Sequence, residues 1–113
     1  MPDDCLFCRI VRGEIPAKIV ATNRWCVAFR DTNPQAPVHV LIVPVEHVPS
    51  LNQVTDPELV GRMALMAAEI ARDEGIAERG YRSVINTNAD AGQTVFHIHM
   101  HLLGGRDLGW PPG

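Results

Sequence analysis

The run Val95-Phe96-His97-Ile98-His99-Met100-His101-Leu102-Leu103 leaves a chain little freedom. In an extended backbone Phe96, Ile98, Met100 and Leu102 fall on one side, and Val95, His97, His99, His101 and Leu103 on the other. Period-two alternation of this length predicts a strand over 95–103. One face packs on a core; the other displays three imidazoles. Same-face neighbours on a strand stand roughly 6.5 Å apart, so His97 and His101 are separated by about 13 Å. The three rings therefore cannot share one metal ion, and at most two adjacent ones can. A solitary strand histidine is usually a satisfied polar residue; three on one face point to a site.

The rest of the chain supplies a partner for that strand. Short alternating runs at 18–22 and 25–31, joined at Asn23-Arg24, predict a hairpin. In the second run Trp25, Val27 and Phe29 share one face, and Cys26, Ala28 and Arg30 the other. Cys26 reads as a small buried residue. Residues 38–43 are nearly all apolar and β-branched, which suits a central strand covered on both sides. His39 within it needs a partner, and a structural bond and a site role are equally open. A helix is expected to open with Thr55 and Glu58 as a capping box and Pro57 in its first turn. Leu59, Met63, Met66, Ala67 and Ile70 then recur at helical spacing, and Gly75 ends it. Residues 80–86 give a fourth strand before the histidine run, and residues 5–13 a short helical turn. The sum is an α+β domain over 1–113: a five-stranded, mainly antiparallel sheet, one long helix and a short N-terminal helix.

A chain of 113 residues buries a core without staples. Its net charge of −3 argues against wrapping nucleic acid. The longest apolar run, 40–45, is far too short to span a bilayer and is broken by Pro44. Met1-Pro2-Asp3-Asp4 lacks the build of a leader peptide, so a cytoplasmic protein is expected. Cys5 and Cys8 are spaced C-x-x-C, which in a reducing compartment suggests a metal pair or a redox pair.

His97-Ile98-His99-Met100-His101-Leu102-Leu103 matches the pattern His-φ-His-φ-His-φ-φ, with φ apolar. With Ile15-Pro16-Ala17-Lys18, residues 31–37, Gly92-Gln93, Gly104-Gly105-Arg106 and Trp110-Pro111-Pro112-Gly113, the chain resembles the histidine triad nucleotide-binding proteins over nearly its whole length. The closing residues are similar to the Hint branch rather than the Fhit or galactose-1-phosphate uridylyltransferase branches.

That resemblance implies a hydrolase of adenosine 5′-phosphoramidates that binds purine nucleotides such as AMP and GMP. His99 matches the nucleophile, whose neutral nitrogen forms a nucleotidyl-histidine that water then hydrolyses. His101, Gln93 and Thr94 match positions around the phosphate, with His101 and Thr94 aiding departure of the amine. Asn86 and Gly92 belong to the same surroundings. Asp31 matches the carboxylate that accepts ribose hydroxyls, and Phe29 and Thr32 lie near the base. His39 and Trp110 complete the substrate-binding set. The resemblance also implies a structural zinc held by Cys5, Cys8, His47 and His97, a closed Cys₂His₂ set. A redox pair and empty thiols are the rival readings. It further implies a homodimer built on the long helix and one strand, with the tail reaching the partner's site and Met63 and Met66 near the interface. Hydrolysis of dinucleoside polyphosphates and a nucleotide-binding scaffold role are the alternatives.

Overall fold

The structure, a computed structural model, describes residues 4–113; Met1-Pro2-Asp3, part of the leader reading, lies outside them. Five strands, β1 (Ile19–Thr22), β2 (Cys26–Arg30), β3 (Val38–Pro44), β4 (Tyr81–Val84) and β5 (Met100–Gly104), form one sheet in the order β1-β2-β3-β5-β4. Every neighbouring pair is antiparallel, as the α+β reading expects. β3 lies at the centre and is buried along nearly its whole length, which is why its run is apolar without alternation.

The helix α2 (Pro57–Asp73) covers one face. Its Met63, Met66, Ala67 and Ile70 pack on Ala28, Val40, Ile42, Ile98, Met100 and Leu102. Each fully buried side chain of this size contributes about 1.5–3 kcal/mol. Met63 and Met66 thus belong to the core of a single chain; the large apolar residue that this helix exposes is Leu65. The opposite face carries a second cluster of Val27, Phe29, Leu41 and Val43, covered by Phe7 of the short helix α1 (Leu6–Val11). The histidines project from this second face.

Two expectations need correction. The helix is capped by Asp56, whose carboxylate accepts from the Glu58 amide at 2.9 Å, and not by Thr55. Pro57 forces the residue before it out of the helical region, so the cap falls on Asp56, at φ −96° and ψ 113°. The strand expected over 95–103 begins only at Met100. Residues 95–97 bend, the Ile98 amide donates to the Val48 carbonyl at 2.7 Å instead of joining the ladder, and Phe96 is left exposed. The face assignment holds only from Ile98 onward.

Gly105 closes β5 against the 31–37 loop. Its φ is +92°, and a Cβ there would stand 2.9 Å from Pro37 Cβ. Next to it the Arg106 guanidinium donates to the Gln35 carbonyl at 2.9 and 3.2 Å. Gly105→Ala meets both a backbone penalty and an overlap, and is expected to lower stability by about 2–3 kcal/mol in urea unfolding.

Candidate active site and metal centre

Main-chain groups decide which nitrogen of each imidazole carries its proton. A carbonyl only accepts and an amide N–H only donates, so a ring bound to either has its tautomer set. His99 Nδ1 lies 2.8 Å from the His97 carbonyl, so it is protonated and donates. The Nε2 lone pair is left free. His97 Nε2 lies 2.8 Å from the Pro44 carbonyl and donates to it, leaving the Nδ1 lone pair. His39 Nδ1 accepts from the Gln35 amide at 3.0 Å, so its proton is on Nε2. That proton points to His101 Nδ1 at 2.9 Å, with Asp31 Oδ2 at 3.4 Å. His101 therefore keeps its own proton on Nε2.

The rings of His99, His101 and His39 form a continuous row, with centroid separations of 5.1 and 5.2 Å. Burial pushes His101 down to about 4, with His99 and His39 adding repulsion, and holds His99 and His39 below the usual imidazole range. All three rings are neutral at pH 7.

Unfolding returns His101 to a pKa near 6.5, so the unfolded chain binds a proton the fold refuses. Stability from this group is complete above about pH 6.5 and declines as pH falls toward 4. Between pH 7 and 4.5, His101→Gln is expected to lose about 2 kcal/mol less than the parent chain in urea unfolding.

Beside the row opens a cleft of about 870 Å³. Phe29, Leu41, Leu6 and Ile10 make its apolar walls, and Asp31, Thr32 and His39 stand at its polar end. The Asp31 carboxylate accepts from the Asn33 amide at 2.8 Å, which fixes its direction. Phe7, also in the lining, lies edge-on to Phe29 and to His99, at 5.5 and 5.0 Å between centroids. Phe7, Leu6 and Ile10 were given no role from sequence, although Phe7 sits between the two cysteines of the C-x-x-C pair.

The remaining expected residues are placed less directly. Gln93 is buried, and its amide is spent on the loop: Nε2 donates to the Pro49 and Val95 carbonyls and Oε1 accepts from the Asn88 amide. Gly92 takes φ +84° at the end of the 3₁₀ turn Ala89–Ala91. Thr94 is exposed and borders a separate groove with Cys5, His47 and Phe96. Asn86 is half-buried just beyond β4. Trp110 is 81% exposed and lies against Arg82 rather than in the cleft of its own chain.

Cys5, Cys8, His47 and His97 converge, with one ligand atom from each within 4.8 Å of the others. His97 Nδ1 lies 3.5 Å from both sulfurs and 3.2 Å from His47 Nδ1, which is 3.3 Å from Cys8 Sγ. A tetrahedron with bonds of ~2.3 Å to sulfur and ~2.05 Å to nitrogen has edges of about 3.6 Å (N to S) and about 3.4 Å (N to N). The spacing fits a metal ion. So does the chemistry: burial pushes the Cys8 thiol up to about 11 and the His97 imidazole down to about 4, so both resist lone charges. A divalent cation offsets two thiolates there. Asp31, His39 and His101 are also close together, but the proton on His39 Nε2 makes that trio a hydrogen-bond chain rather than a ligand set.

Comparison with known proteins agrees with this geometry. The family model described as HIT domain matches residues 12–108. The chain is 51% identical over 111 residues to the purine nucleoside phosphoramidase of Escherichia coli, covering 96% of this chain and 93% of that one. It is 51% identical over 115 residues to an uncharacterised HIT-like protein of Synechocystis, covering all of both. Among solved structures, a HIT family hydrolase from Legionella pneumophila superposes with a TM-score of 0.95 at 50% identity, over 97% of this chain and 100% of that one.

Proposed function

The chain belongs to the HIT domain family, and on that premise we propose that it is a purine nucleoside phosphoramidase. The observation that carries this reading is the His99 tautomer: Nδ1–H is given to the His97 carbonyl, so Nε2 keeps a lone pair at neutral pH. A nucleophilic nitrogen needs that lone pair and an orienting acceptor behind it. The base enters the apolar cleft beside Phe29, and the ribose hydroxyls reach the Asp31 carboxylate. His99 Nε2 then attacks the α-phosphorus in line, and the P–N bond breaks. The departing nitrogen takes its proton from water, while neutral His101 keeps its own and donates a hydrogen bond from Nε2–H to the phosphoryl group, because His39 holds the His101 proton on that nitrogen. Water hydrolyses the nucleotidyl-histidine and releases the mononucleotide. Thr94 and Asn86 are assigned to the phosphate surroundings from the resemblance. Gln93 serves through the loop it holds rather than through a free amide.

We assign zinc to the Cys₂His₂ cluster as a structural ion. The four protein donors close the tetrahedron and leave no position for a water. The fold also supports a homodimer in which β4, an edge strand, and the exposed Leu65 of α2 meet a second copy, with Trp110 directed to the partner's cleft. Among the described residues no helix is long and apolar enough to cross a membrane. Three free cysteines suit a reducing cytoplasm.

The deciding assay compares an AMP–amine phosphoramidate with a diadenosine polyphosphate. A kcat/KM at least about tenfold higher for the phosphoramidate is expected, the difference one transition-state contact supplies. A preference for the polyphosphate would favour the alternative hydrolase.

A further inference from the structure

Phe7 stands where the metal cluster, the nucleophile and the cleft meet. It is the residue immediately before Cys8 on α1, and it is 5% exposed. Its ring is edge-on to His97 at 6.0 Å, to His99 at 5.0 Å and to Phe29 at 5.5 Å. The helix carrying it has six residues and little intrinsic stability. Its course is set by Cys5, which caps it through Cys8 N–H at 3.4 Å, and by the closure of Cys5 and Cys8 on His47 and His97. On the other side of His97, the main-chain carbonyl receives the His99 proton. The nucleophile is therefore gripped from two directions by parts whose position depends on the cluster.

We propose that Phe7 is a positioning residue that couples metal occupancy of the Cys5/Cys8/His47/His97 cluster to the orientation of His99. This rests on the reading of His99 as nucleophile. With the ion bound, α1 is held down and Phe7 braces the His99 ring so that Nε2 faces the phosphorus. Without it, α1 loosens, and two effects separate. Leu6 and Ile10 release the apolar wall, which weakens nucleotide binding and raises KM. Phe7 releases His99, which lowers kcat, because a small misalignment of a reacting atom costs up to about 100-fold.

The test uses the full chain, loaded with zinc or stripped by a chelator, in the parent, Phe7→Leu and Phe7→Met. Imidazole ring signals of His99 are recorded by NMR, together with kcat and KM for an AMP–amine substrate and AMP affinity by calorimetry. In the parent, stripping is expected to move the His99 ring signals and to lower kcat about tenfold or more, while KM also rises. In both Phe7 variants the loaded protein already shows lowered kcat, and stripping changes kcat and the His99 signals less than about threefold while still raising KM. Parent and variants that respond alike to stripping would overturn the coupling, as would a parent whose His99 signals ignore the metal. A loaded parent that binds no AMP would instead overturn the nucleotide reading, leaving the NMR comparison to decide the coupling by itself.

Discussion

His99→Ala is expected to abolish turnover of an AMP–amine substrate, with kcat reduced by about 10⁴-fold or more, the scale seen when a covalent nucleophile is deleted. AMP affinity is expected to stay within about threefold, because the contacts that hold a nucleotide lie elsewhere. The residues proposed for the base and ribose, Phe29, Leu41 and Asp31, line the cleft, and the His99 ring gives its hydrogen bond to the His97 carbonyl instead. The ring does pack on Phe7, so some loosening of that wall accounts for the threefold allowance. Trapping the intermediate separates chemistry from binding: the parent chain, quenched in acid during turnover, should carry one nucleotidyl group on position 99, and the variant none. Retained turnover in His99→Ala would end the assignment of His99 as the nucleophile, whereas a parent chain that binds AMP without turnover would favour the scaffold reading. His101→Ala provides the contrast. It removes a hydrogen-bond donor to the phosphoryl group but not the nucleophile, so a loss of about 10²-fold is expected, with the nucleotidylated intermediate still forming.

The fold was legible wherever burial is one-sided. The faces of β2 separate as the alternation requires, with Val27 and Phe29 in one cluster and Cys26 and Ala28 in the other. The apolar run at 38–43 did mark the central strand. Alternation misled at 95–97, because His97 is drawn to the cysteine cluster and the Ile98 amide to Val48; neither partner is near in sequence. The polar side chains of the site were readable as residue types, but their protons were not. Which nitrogen of His39 bears hydrogen depends on the Gln35 amide, and nothing in the composition of the loop announces that bond. Phe7 escaped notice for a similar reason. It has no periodic partner in a six-residue helix, and its role comes from lying between two cysteines whose convergence on His47 and His97 only the fold creates.

Cys8→Ser is expected to remove bound zinc and to lower Tm by about 10–20 °C. The size follows from linkage. A metal that binds only the folded chain at ~1,000 times its Kd adds about 4 kcal/mol, and for a chain of this length each kcal/mol moves Tm by about 4 °C. Cys8 is the fully buried cysteine of the pair, and serine there cannot supply a thiolate to the ion. A chelator should bring the parent Tm down to that of the variant and leave the variant unmoved, so that the two routes to the metal-free chain converge. Cys26→Ser is the control. Its thiol is equally buried, and burial pushes it up to about 11, but it packs in the helix-facing core, not at the cluster. That change should cost only about 1–3 kcal/mol for a buried hydroxyl while zinc content remains at one per chain. A parent Tm indifferent to chelator would mean that the four side chains hold α1 by hydrogen bonds alone. The geometry of the cluster argues against that: His97 donates from Nε2 to Pro44, so its Nδ1 carries no proton, and that one lone pair cannot accept from the Cys5 thiol, the Cys8 thiol and His47 Nδ1 together.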